Sequence, residues 1–242
     1  MWVLILLVVI LMLFVSLIPT PKYVVSISTI PSRINKIQPI INSFLNQTYK
    51  PHRIYIHIPN KYNRFTETID KIPDFLTKNP KVVINRIPVD FGPASKLFGM
   101  FQTNYKGIIL VTDDDSVKKP NWAQALIRNI KKNPNSVSTI HPNLIFGYKG
   151  FGMYSDLFDR NDIINTFHQK KESCILVDDD FLTHYCKLRN IHVNFIRDPF
   201  SRDHTSKYTQ GRELPFGDKL IKLGGENTRS NLRTKCKHAF FG

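Results

Sequence analysis

The chain has 242 residues, with 34 Lys plus Arg against 19 Asp plus Glu and a formal net charge of +15. That length suffices for the core of one domain, or two at most, and the recurring Ile, Leu, Val and Phe exclude a disordered tail. Three cysteines, Cys174, Cys186 and Cys236, exclude a disulfide-dense scaffold, and no C-x-x-C pair marks a zinc site.

The first 20 residues carry no charged side chain, and Trp2 to Ile18 is apolar except for Ser16. As a helix this segment would be roughly 27 Å long, close to the hydrocarbon thickness of a bilayer. A cleaved signal peptide is the competing reading, but it ordinarily has a basic leading region and a shorter apolar stretch. The expected organisation is a transmembrane anchor over 1–20 and a globular body over 21–242, less regular from about 200.

In the body, Tyr23 to Ser28 reads as a buried strand ending at the turn Thr29-Ile-Pro-Ser-Arg33. Ile37, Ile40, Ile41, Phe44 and Leu45 recur at helical spacing, with Asn35 as candidate cap and Pro39 in the first turn. Arg53 to Ile58 alternates as a strand, Thr66 to Lys78 suggests a short helix, and Val82 to Ile87 is another strand. Ser95 to Thr103 reads as helix. Gly107 to Thr112 is the most apolar strand and runs into Asp113-Asp114-Asp115. Trp122, Ala125, Leu126 and Ile130 mark a further helix. Weaker strands are expected at Ser138–Ile140, Leu144–Tyr148, Cys174–Val177 and His192–Ile196. This alternation predicts an α/β, Rossmann-like, mainly parallel sheet with ligands at the carboxyl ends of its strands.

Two acidic clusters stand after apolar runs. If the strand continued, Asp113 and Asp115 would share a face with Asp114 turned away. Two such carboxylates repel unless a cation separates them, and hard oxygen donors suit Mg²⁺ or Mn²⁺. The competing reading is a solvated turn. Asp178, Asp179 and Asp180 precede a helical pattern of Phe181, Leu182, Tyr185 and Leu188, where simple favouring of the helix dipole is the alternative.

A strand followed by Asp-x-Asp, in a chain opening with a strand and a Thr-x-Pro-x-Arg loop, resembles the GT-A glycosyltransferases of the family 2 type. The phrase SFLNQTYKPHRIYIHIP is similar to the family's first βαβ unit. Asp90-Phe-Gly-Pro-Ala-Ser-Lys96, Phe146-Gly-Tyr-Lys-Gly-Phe-Gly152 and Val177-Asp-Asp-Asp-Phe-Leu-Thr183 resemble its later elements in order, over about residues 22 to 200. The resemblance implies a GT-A fold with a mixed, mainly parallel sheet, and sugar transfer from a nucleoside diphosphate to an acceptor hydroxyl. It assigns Asp113 and Asp115 to a divalent metal, with His204 as a further ligand, and Thr29, Arg33, Asp90, Lys96 and Asp114 to the donor. Asp179 is the implied base of an inverting reaction, with Asp178 beside it and Asp180 as substitute.

The implied partners are a nucleotide-sugar donor, a glycan, lipid or protein acceptor, and a membrane. No nucleic-acid-binding motif appears, and the Lys and Arg residues are scattered. Lys22, Arg33 and Lys36 would keep the body cytoplasmic by the positive-inside rule, whereas resemblance to lumenal type II enzymes favours the opposite side. Two other functions fit parts of the pattern. One is a haloacid-dehalogenase-like phosphatase using Asp113 and Asp115, although that motif normally sits on the first strand. The other is a membrane-tethered basic binding module.

Overall fold

The structure is a computed structural model that describes residues 21–142, 144–196 and 229–242. The expected anchor and His204 lie outside these residues. Among those described, no helix is long and apolar enough to cross a membrane.

The body is built on one sheet of seven strands. They are β1 (Tyr23–Ser28), β2 (Arg53–Pro59), β3 (Val82–Ile87), β4 (Ile108–Val111), β5 (Ser136–Thr139), β6 (Phe151–Tyr154) and β7 (His192–Phe195), in the spatial order β3-β2-β1-β4-β6-β5-β7. All pairings are parallel except those of β6, which runs antiparallel to both β4 and β5. The helices are α1 (Gln38–Leu45), α2 (Asp74–Thr77), α3 (Ser95–Phe101), α4 (Trp122–Lys132), α5 (Arg160–Cys174), α6 (Asp178–Leu188) and α7 (Arg229–Phe241), with a 3₁₀ turn at Gly92–Ala94.

Strand periodicity divides the apolar residues between two cores. Tyr23, Val25, Ile27, Ile108 and Leu110 pack on one face with Ile40, Ile41 and Phe44 of α1 and Trp122, Leu126 and Ile130 of α4. Val24, Ile109 and Val111 face the opposite way, onto residues of α3, α5, α6 and α7. Both faces are covered, so β1 and β4 read as unbroken apolar runs. The chain adds β2 and β3 on one side of β1, then crosses to place β4 on the other. The carboxyl ends of β1 and β4 therefore flank a topological switch point, where a crevice forms.

Several local expectations need correction. Helix α1 starts after Ile37 without a side-chain cap, so Asn35 does not cap it, while Pro39 lies in the first turn as expected. The helix expected over Thr66 to Lys78 is confined to Asp74–Thr77. Leu144 to Tyr148 is a loop, and the strand follows it at Phe151–Tyr154. Cys174 ends helix α5, so Cys174 to Val177 is not a strand. Helix α5 was not foreseen. Its buried stripe, Ile163, Thr166, Phe167 and Cys174, is narrow, and its clearest signal is Asp159, whose carboxylate accepts from the N–H groups of Asn161 and Asp162 at 2.9 and 3.0 Å. Helix α7 also lay unforeseen within the basic tail.

Candidate active site

The strand after which the first acids stand ends at Val111, and the chain turns at Asp114 and Asp115. The alternation expected for Asp113 and Asp115 therefore does not apply. Instead the three carboxylates diverge. Asp114 accepts from Thr29 Oγ1 at 2.7 Å and from Arg33 Nη1 at 2.7 Å. Arg33 Nη1 also lies 3.7 Å from Asp115 Oδ2. Thr29 is fixed in turn by Tyr62, whose hydroxyl donates to its carbonyl at 2.9 Å. Burial pushes the Asp114 carboxyl up, with Arg33 and Thr29 opposing. The carboxyl ends of β1 and β4 are thus joined by one polar group of Thr29, Arg33, Asp114 and Asp115.

Asp113 turns the other way, to Lys96. The Lys96 Nζ lies 2.9 Å from Asp113 Oδ1, hydrogen-bonds Asp178 Oδ2 and stands 3.9 Å from Asp179 Oδ1. Its side chain is only 3% exposed, so it is not the solvated helix residue that a simple surface reading would have made it. Burial works against the ammonium charge, but Asp113, Asp178 and Asp179 together hold its pKa well above the usual lysine value. Desolvation likewise pushes Asp113 up, and Lys96, aided by Lys118 and Arg33, outweighs it and holds that carboxyl below its usual range. Asp179 behaves oppositely. Burial and then the neighbouring Asp178 charge raise its carboxyl well above the ordinary value.

The loop between β5 and β6 ties the two acidic clusters together. The Gly147 carbonyl accepts from Asp113 N at 3.1 Å and Thr112 Oγ1 at 2.8 Å, while Gly147 N donates to Asp179 Oδ1 at 2.9 Å. A Cβ on Gly147 would lie 2.4 Å from Asp113 Oδ1, so only glycine lets the loop approach this closely. The buried Lys118 donates to the Tyr148 carbonyl in the same loop. Burial brings its pKa down to about 7 against the pull of Asp113 and Asp115.

The remaining expected residues are placed as follows. Asp90 accepts from Asn63 N at 2.8 Å and Gly92 N at 2.7 Å, so it pins the loop after β2 to the turn before α3. Asp180 does not join the Lys96 cluster, because its Oδ1 accepts from Arg233 Nε of α7 at 2.9 Å. The N-cap of α6 is Val177, which offers no side-chain cap, and Asp178, Asp179 and Asp180 fill the first turn. Sequence reasoning missed Lys118, Arg233 and the bridging role of Gly147. It also missed Arg64, which lies within electrostatic reach of Asp90, Asp178 and Arg33. Spacing along the chain carries no signal for these contacts.

Among the described residues, no group of three or more His, Cys, Asp or Glu side chains gathers to hold a metal. Asp113 and Asp115, 29% and 25% exposed, are two hard oxygen donors, with Asp113 turned to Lys96 and Asp115 lying 3.7 Å from Arg33. That set fits Mg²⁺ or Mn²⁺ completed by phosphate oxygens and water, rather than an all-protein cage.

Comparisons with known proteins agree with this architecture. The sequence profile described as "Glycosyl transferase family 2" matches residues 30–194. No curated protein sequence matches. Among solved structures, the mannosyltransferase PcManGT from Pyrobaculum calidifontis, in complex with GDP-Man and Mn²⁺, aligns with a TM-score of 0.50 at 10% identity. That alignment covers 75% of this chain and 56% of the other, so the chain spans little more than half the length of this neighbour. S. aureus TarS 1-349 aligns more loosely, at a TM-score of 0.36 and 14% identity over 49% of this chain and 34% of its own. The haloacid-dehalogenase-like alternative finds no support here, since the profile is a transferase profile and its Asp-x-Asp follows the fourth strand. The matched region holds both acidic clusters and Lys96, and the chain belongs to glycosyl transferase family 2.

Proposed function

We propose that this chain transfers a sugar from a nucleoside diphosphate sugar to an acceptor hydroxyl, with inversion at the sugar carbon. The observation that carries the reading is the convergence of Asp113, Asp178 and Asp179 on one buried Lys96 at the switch point of the sheet. Thr29, Arg33 and Asp114 form the wall against which the nucleoside part of the donor would lie. Asp90 acts from behind this wall, by holding the loop that carries Arg64. Arg33 and Arg64 supply positive charge for the diphosphate, and Arg can hold phosphate oxygens through its planar fork. Lys96, enclosed by Asp113, Asp178 and Asp179, holds the acidic cluster together instead of meeting the donor.

Asp113 and Asp115 would hold a divalent metal, and that ion supplies charge neutralisation for the departing diphosphate. Asp179 is the base. Its carboxyl is raised, as suits a group that must take a proton near neutral pH. Asp178 keeps the Lys96 ammonium engaged, which leaves Asp179 the less strongly paired of the two. The acceptor oxygen loses its proton to Asp179 and bonds to the anomeric carbon, while the electron pair of the broken glycosidic bond leaves with the diphosphate. The acceptor is a glycan, lipid or protein hydroxyl.

The apolar segment over 1–20 would anchor this body to a membrane. The Cys174–Cys236 disulfide supports a location on the oxidising side.

A panel of GDP-mannose, UDP-glucose and UDP-N-acetylglucosamine with Mn²⁺, read by donor hydrolysis and thermal shift, tests the reading. One donor should be turned over, and EDTA, Asp115→Asn and Asp179→Asn should each abolish turnover. Full activity in EDTA removes the metal role, and full activity of Asp179→Asn removes its role as base. Turnover of aryl phosphates without any sugar transfer would favour the phosphatase instead.

A further inference from the structure

The family match ends at residue 194, yet one wall of the site is held by an element beyond it. Helix α7 packs against α5 and α6. The Cys174–Cys236 disulfide joins it to the last residue of α5, just upstream of Asp178. Both cysteines are fully buried. Near its end, Phe240 packs on Phe181 and on His184 of α6, each at 5.6 Å between ring centroids.

About one helical turn before Cys236 stands Arg233. Its Nε donates to Asp180 Oδ1 at 2.9 Å, and its guanidinium lies over the Phe146 ring at 5.9 Å from the centroid. Phe146 immediately precedes Gly147, whose N–H holds Asp179 and whose carbonyl receives the Asp113 N–H. One side chain therefore touches the acidic motif of α6 and the glycine loop together. It also sets a charge against Asp180, whose side chain is 9% exposed and stands in the same helical turn as Asp178 and Asp179. A third uncompensated carboxylate there would disfavour ionisation of Asp179 further.

We propose that Arg233 is a positioning residue for the transfer reaction: it clamps the acidic motif to the glycine loop and cancels the charge of Asp180. The disulfide staples the helix that delivers it. This inference rests on the reading of Asp179 as base.

The test uses the full chain and the Mn²⁺-dependent hydrolysis of whichever of the three nucleotide sugars it turns over. Arg233→Gln should lower kcat about tenfold with donor KM within about twofold, the pattern of a lost transition-state contribution. Its acid limb should rise by about half a pH unit or more, because a bare Asp180 charge opposes ionisation of Asp179. Adding Asp180→Asn to Arg233→Gln should return the acid limb to its original position. A purely structural loosening would not respond to that second change.

Unchanged kcat and pH profile in Arg233→Gln overturn the proposal, as does an acid limb that rises and stays raised in the double variant. If Arg233→Gln does not fold, Asp180→Ala alone carries the test. It removes the acceptor of the clamp without stranding a carboxylate, so kcat should fall with no rise of the acid limb, and unchanged kcat overturns the proposal. An active Asp179→Asn is a separate result that refutes the base assignment and not the contact geometry.

Discussion

A methyl group at Gly147 would enter the centre of the acidic cluster. Built onto the backbone, it lies 2.4 Å from Asp113 Oδ1, 2.8 Å from Lys96 Nζ and 2.9 Å from Asp113 Cγ, where ordinary contacts begin at 3.4 Å. The backbone at Gly147 does not require the left-handed region, so alanine meets a side-chain obstacle and not a conformational one. The Asp113 carboxylate must retreat by about 1 Å. The Lys96 ammonium, buried between three carboxylates, has little room to follow. A misplacement of about 1 Å in a catalytic assembly costs on the order of a hundredfold in rate, equivalent to about 2.7 kcal/mol of activation free energy. Overpacking adds a stability cost of about 1–3 kcal/mol. Gly147→Ala should therefore reduce donor hydrolysis about a hundredfold while the chain still unfolds cooperatively. The assay is steady-state turnover well below the melting temperature, beside calorimetry of the same sample. A folded Gly147→Ala variant with turnover within about threefold of the unmodified chain would falsify the reasoning, because Asp113 would then not be needed where it stands.

Lys96→Met strands three carboxylates and should cost about 3–5 kcal/mol of stability. Asp113, with its lowered pKa, contributes above its unfolded value of 3.8, and Lys96, with its raised pKa, contributes below 10.5. The loss measured by urea unfolding should accordingly be greatest between those values and shrink outside them, and a pH-independent difference would contradict the ion-pair account. The raised Asp179 carboxyl should place the acid limb of kcat above the ordinary carboxylate range, with activity lost as pH falls. Asp178→Asn removes a like charge and should move that limb downward, so an upward shift would refute the coupling. The disulfide closes a loop of 62 residues, so replacing Cys174 and Cys236 with serine should cost about 4 kcal/mol. Thiol labelling of the unreduced, denatured chain should modify Cys186 alone, and a second labelled thiol would argue against the pairing.

The strands of the first half were legible because both faces of the sheet are covered. Burial on two sides turns Tyr23–Ser28 and Ile108–Val111 into continuous apolar runs, and these do not depend on knowing their partners. Motif phrases were also legible, although some carry structural work. Gln47 is fully buried and ties α1 to α4, donating to the carbonyls of Ser43 and Lys119 and accepting from Ala123 N, each at 2.9 Å. Helix α5 was not legible, since its buried stripe is too narrow to stand out from its polar residues.

By itself, then, the sequence determined the α/β class, the position of Asp113, Asp114 and Asp115 at the end of a buried strand, and the resemblance that the profile match bears out. These follow from local periodicity and from motifs whose residues are neighbours in the chain. Only the tertiary structure decided how the acids are shared out: Asp113, Asp178 and Asp179 to Lys96, Asp114 to Thr29 and Arg33, and Asp180 to Arg233. Which cation each carboxylate meets is set by packing between segments far apart in sequence, and local periodicity carries no record of it.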